Sequence, residues 1–86
     1  MGQFLPIGSV VLLKESTKRV MIIGVKQKEV SNGNLWDYCG VYYPEGIVDP
    51  NQLFLFNRDQ IESLFFIGFQ DGEGLKFLQF LNNQER

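Results

Sequence analysis

The feature that most constrains this chain is a set of short runs that are apolar on both faces. Ser9 to Lys14 reads SVVLLK, Arg19 to Lys28 reads RVMIIGVKQK, and Leu64 to Phe69 reads LFFIGF. A strand in a sheet with one wet side alternates apolar and polar residues, and these runs do not. They need cover on both sides. A sheet curled into a small barrel supplies it, and so does a sheet with a helix laid across one face.

The punctuation between the runs sets the order of elements. Glu15 to Lys18 is a short polar turn, so the first two runs make a hairpin. In the second run Val20 and Ile22 share one face, and Met21, Ile23 and Val25 share the other. Gly24 interrupts the pattern, as at a bulge or a sharp bend. Ser31-Asn-Gly-Asn34 is the strongest turn signal, because Asn-Gly readily supplies positive φ. The third strand, Leu35 to Tyr43, puts Trp36, Tyr38 and Tyr42 on one face and Leu35, Cys39 and Val41 on the other. Leu53 to Phe56 follows as a short extended strand, Asn57 caps a single helical turn, and Leu64 to Phe69 is the last strand. Asp71 caps a helix from Gly72 to Asn83, with Glu73 in the first turn, where the helix dipole favours an anion.

The expected fold is mostly β with one C-terminal helix. It is a small SH3-like barrel or a strongly curled five-stranded antiparallel sheet covered by the helix, with bends at Gly24, Gly40 and Gly68; an α+β roll is the alternative. All 86 residues read as a single domain, with an N-terminal arm over 1–7, the β unit over 8–69 and the helix over 71–83.

Residues that carry chemistry are sparse. The chain has no His and one Cys, so the commonest general acid/base is missing and no internal disulfide can form. Asp37, Glu45, Asp49, Asp59 and Glu62 do not have the spacing of a calcium loop and read as loop acids and solvated faces. Asp37, set between Trp36 and Tyr38, is expected to pair with a Lys of the first hairpin or to serve a function. Cys39 reads as a packed core thiol. We therefore expect no catalytic residues, no metal site, no cofactor and no enzymatic activity. The start of the chain is not a signal peptide, and no apolar run is long enough to span a membrane, so the expected location is cytoplasmic.

Charge is uneven along the chain. Residues 1–28 carry a net +4 and residues 29–86 a net −6, against −2 for the whole. Lys18, Arg19, Lys26 and Lys28 on the hairpin are the candidate polyanion-binding set, which makes a nucleic-acid-binding small barrel the alternative function. The acidic remainder would repel phosphate, and this disfavours that reading.

The helix points to a protein partner instead. At about 100° per residue, Leu75, Phe77, Leu78, Phe80 and Leu81 cover an arc of about 220°, whereas a one-sided helix needs little more than a 100° stripe. Leu78 and Leu81 lie near the middle of the arc, facing the core, and Phe80 lies at its edge. The surplus apolar surface suits another protein or a second copy. The candidate partner-binding residues are Phe77, Phe80 and Leu81, with Trp36 and Tyr42 on the third strand.

Three blocks carry a family resemblance. Leu5 to Lys14 (LPIGSVVLLK) with Lys18 to Gly24 (KRVMIIG), Tyr38 to Gly46 (YCGVYYPEG), and Asn57 to Phe69 with Ile61, Leu64, Phe66, Gly68 and Phe69 in spaced order span roughly residues 5 to 82. In these the chain resembles a family of small uncharacterised Gram-positive proteins, often encoded beside LXG toxins in type VII secretion loci. The resemblance implies a cytosolic accessory or adaptor, partnered by a toxin or a small helical secretion adaptor, and carries over no catalytic residue.

Overall fold

The structure, a computed structural model, describes residues 3 to 84. Five strands are present: β1 (Val10–Leu13), β2 (Arg19–Lys28), β3 (Leu35–Tyr42), β4 (Phe54–Phe56) and β5 (Ile61–Phe66). A 3₁₀ turn, Arg58–Gln60, precedes β5, and one helix, α1 (Gly72–Asn83), follows it. The strands pair antiparallel in the order β4-β3-β2-β1-β5. The sheet is open, with β4 and β5 as its edges, so of the two expected forms the five-stranded antiparallel sheet with its helix is the one found and the closed barrel is not.

The sheet must nevertheless curl. In a flat five-stranded sheet the edges lie about 19 Å apart, four spacings of about 4.8 Å. Yet β4 and β5 are joined by only Asn57 to Gln60, a link that even fully extended reaches about 17 Å. Wound into a 3₁₀ turn it reaches less. The turn is also tied to the strands next to those it joins: Lys14 N–H, just past β1, donates to the Gln60 carbonyl (2.8 Å), and Asp37 N–H of β3 donates to Asn57 Oδ1 (3.0 Å). Asn57 caps this turn as expected, but its side chain reaches across to β3.

A bulge redirects β2. Ile22 pairs with Gly40 and Gly24 with Cys39, so Ile23 is one residue extra. An extra residue shifts every later side chain to the other face. Val25 therefore joins Val20 and Ile22 on the inner face, where simple alternation had assigned it to the face of Met21. At Gly40 the inner face is packed so closely that a Cβ would stand 2.5 Å from Val20 Cγ1 and 3.1 Å from Phe56 Cε1.

Two further bulges lie on β5. Val10 pairs with Phe66 but Val11 with Leu64, and Leu12 with Ser63 but Leu13 with Ile61. Phe65 and Glu62 are the extra residues. The strand also starts and stops earlier than the expected Leu64 to Phe69. After Phe66 the chain crosses the N-terminal arm, and Gly68 N–H donates to Ser9 Oγ (3.0 Å), whose hydroxyl in turn donates to the Pro6 carbonyl (2.8 Å). A side chain at Gly68 would run into the Ile7 carbonyl, and Gly8 turns beneath it at φ +92°. Backbone crossing replaces strand pairing at this point.

The main core cluster forms on the inner face, while Val10, Cys39 and Val41 are buried on the outer one. Val11, Val20, Ile22, Tyr38, Phe56 and Ile61 are buried on the inner face, capped by Phe4 and Leu5 of the arm and Leu81 of α1. The arm is pinned from both sides: Leu5 N–H donates to the buried Tyr38 hydroxyl (2.7 Å), and Phe4 N–H donates to Asn82 Oδ1 (3.1 Å). Among the described residues no helix is long and apolar enough to cross a membrane.

Candidate protein-binding surfaces

The helix is built for one buried stripe. Asp71 Oδ1 accepts from Gly74 N–H (2.8 Å), which fixes the N-cap, and the first turn carries Glu73. Leu81 is 3% exposed within the core, and Leu78 packs against the core from a half-buried position. Leu75, Phe77 and Phe80 stand 47%, 48% and 56% exposed, and the Phe77 and Phe80 rings stack with centroids 6.4 Å apart. The wide apolar arc is thus only partly absorbed by the fold. Beside Phe77 a groove of about 510 Å³ opens between α1, the arm and Phe69, with Leu5, Ile7 and Val25 in its wall and Asp71 and Glu73 on its rim.

Leu81 is a correction to the candidate set. It was expected both to face the core and to serve the partner surface; it packs with Phe4, Val20 and the rest of the core and has no face left to offer a partner. Trp36 is half-buried at the far end of β3, its Nε1–H donating to Glu29 Oε1 (3.0 Å). Tyr42, at the other end, rests against the Phe54 ring (4.6 Å). Between them Tyr38 is wholly buried. The structure brings Phe77 and Phe80 together and leaves Trp36 and Tyr42 apart from each other.

The four candidate polyanion-binding bases are also dispersed. Lys18 and Arg19 sit at one end of β2 and Lys26 and Lys28 at the other, roughly 25 Å along the strand. Lys18 Nζ pairs with Glu45 (2.7 Å), and this hydrogen bond holds the Glu45 carboxyl below its ordinary value. Lys26 Nζ lies 5.2 Å from the Phe4 ring centroid.

The acid singled out in β3 has a structural partner. Asp37 Oδ2 accepts from Arg58 Nε (3.2 Å) and from Arg58 N–H (2.9 Å). Arg58, not a Lys of the first hairpin, is that partner, and the pair holds the 3₁₀ turn against β3. Cys39 is buried, and burial raises its thiol pKa. Burial likewise raises the Tyr38 phenol, against the lowering effect of the hydrogen bond from Leu5.

The sequence reading missed a cluster on the outer face of the sheet. The Arg19 guanidinium carbon lies 5.3 Å from the ring centroids of both Tyr43 and Phe65. Beside it is a hollow of about 430 Å³ lined by Val10, Met21, Tyr43, Phe65 and Phe66, with Arg19 and Gly8. The available signal was the adjacent pair Phe65-Phe66, which a regular strand would split between its two faces.

Comparison with known proteins adds the family. Residues 4–77 match a family model described as a domain of unknown function, DUF4176. No curated protein and no solved structure matches the chain. The matched span takes in all five strands, the turn before β5 and the first half of α1, so an open curled sheet roofed by a helix is the form this sequence gives to the family to which it belongs, DUF4176.

Proposed function

We propose that the chain is a non-enzymatic protein-binding module, an accessory or adaptor that presents the outer side of α1 to a partner. The observation that carries this reading is the stacked Phe77–Phe80 pair, about half exposed beside an apolar groove. Aromatic anchors on a rigid element next to a pocket are where binding energy concentrates at interfaces. The groups that could do chemistry are engaged elsewhere: Asp37 by Arg58, the Tyr38 hydroxyl by Leu5, and Cys39 by burial. Dispersal of the four bases favours a protein over a nucleic acid, because a phosphate backbone rewards several cations acting together. The family resemblance supplies the partner class, an LXG toxin or a small helical adaptor met in the cytosol of a Gram-positive bacterium before export.

Co-expression with an LXG toxin and its small helical partner tests the reading, together with light scattering on the isolated protein. A Phe77→Ser, Phe80→Ser double variant should remain folded and lose co-purification, or lose self-association at least tenfold. Unchanged complex formation and unchanged hydrodynamic size in a folded double variant would overturn it.

A further inference from the structure

We propose that the outer face of the sheet around Arg19 docks an acidic, apolar segment of a protein partner, whose carboxylate is received by the Arg19 guanidinium. This surface is separate from the helix face and does not depend on it.

The geometry is that of a prepared receptor. Arg19 lies against two aromatic rings, Tyr43 and Phe65, each centroid 5.3 Å from its guanidinium carbon. Such contacts restrain an arginine and leave the N–H groups at its edge free to hydrogen-bond. Among the described residues no carboxylate or carbonyl accepts a hydrogen bond from that guanidinium, and no acid lines the hollow beside it. The neighbouring base is already used, because Lys18 pairs with Glu45. A planar donor fork of this kind matches a carboxylate in bidentate geometry.

The apolar half of the receptor is produced by the bulge in β5. Leu64 points inward opposite Val11, and alternation would send Phe65 outward and Phe66 inward. Phe66 instead pairs with Val10 of the outer face, because Phe65 is the extra residue. Both rings are thereby turned to the Arg19 side, 55% and 61% exposed. Re-aiming a side chain is a recurrent use of a bulge at functional sites. With Val10 and Met21 they make an apolar floor next to one cation.

The same features choose the occupant. A single unpaired cation suits one carboxylate better than a phosphate chain, and the net charge of −2 adds repulsion for a polyanion. Ile67, which follows Phe66 in the chain, adds further exposed apolar surface. That extent suits a polypeptide segment bearing Asp or Glu beside Leu, Phe or Trp.

Selection of a randomised 12-residue peptide library against the intact protein is the test. Selected peptides should be enriched in Asp or Glu next to large apolar residues. They should bind Arg19→Gln at least tenfold more weakly and Phe66→Ser several-fold more weakly, while binding Phe80→Ser undiminished. Arg19→Lys, which keeps the charge and loses the fork, should fall between wild type and Arg19→Gln. Each variant is first checked for an unchanged melting temperature; Arg19 is exposed, and Phe66→Ser is a second probe should Arg19→Gln not fold. Failure to select any peptide, peptides that are basic or indifferent to Arg19, or a dT12 oligonucleotide that binds more tightly through Arg19 than the peptides do would each overturn the proposal. The Phe80→Ser arm keeps this outcome independent of the helix surface.

Discussion

The two faces of the sheet are made of similar residues and have different surroundings. Val11, Val20, Ile22 and Phe56 on the inner face lie beneath the arm and α1. On the outer face Val10, Cys39 and Val41 are buried too, but Phe65 and Phe66 at its β5 edge stand 55% and 61% exposed. Apolarity on both faces of a strand therefore did not signal closure into a barrel here. It signalled one face that is wholly covered and one that is covered in part, with apolar surface to spare at Phe65 and Phe66. The contrast extends to α1, where Leu81 is buried and Phe80, on the preceding residue, is not.

Substitutions should separate the two kinds of surface, and the largest effect is expected under the helix. Leu81→Ala empties a site in the core and should cost about 2–5 kcal/mol, read as a loss of roughly 8 °C or more in melting temperature for a domain of this size. Leu78→Ala, half-buried, should cost less. If Leu81→Ala were no worse than an outer-face substitution, the distinction between the faces would fail.

A smaller effect is expected where the arm meets the sheet. Tyr38→Phe removes the acceptor of Leu5 N–H and leaves a buried donor unpaired, at roughly 1–2 kcal/mol. The raised phenol pKa adds a pH signature of definite sign. The unfolded chain ionises Tyr38 near its ordinary pKa of about 10, whereas the folded protein holds the proton longer. Stability from this group is full below that pH and is lost as pH rises through the folded-state value. Alkaline denaturation curves of wild type and Tyr38→Phe should accordingly converge as pH rises. Parallel curves would show that the hydroxyl is not coupled to folding.

The smallest effect on stability is expected on the outer face. Phe66→Ser should change stability by no more than about 0.5 kcal/mol, the usual range for exposed positions, in chemical denaturation. A cost similar to that of Leu81→Ala would mean that the outer face is covered within the monomer.

The local elements were legible because their signals are local. The Arg19 to Lys28 run, the Asn-Gly turn and the Asp71 cap each rest on neighbours within a few residues. The inward direction of Leu78 and Leu81 followed from helix geometry alone. The side to which Val25 points was not legible, because it depends on whether Ile23 is extra, and that is decided by pairing with β3. The same holds for Phe66, whose face is set by β1. Asp37 found Arg58 across twenty-one positions of sequence, a match that spacing does not encode. Leu81 could be read as core or as partner surface until the arm was seen to pack with it in the core.

The two bulges on β5 have a consequence for how the protein behaves when crowded. One face of the sheet exposes Phe65 and Phe66, and β5 is an edge strand, a combination that in a flat strand would template the growth of fibrils. Glu62 and Phe65 each interrupt the regular ladder along that edge, and the opposite edge, β4, is only three residues long. New strands are thus refused along the hydrogen-bonding direction, while a partner can still approach perpendicular to the sheet. Exposed apolar surface is thus separated from the edge at which fibrils would grow.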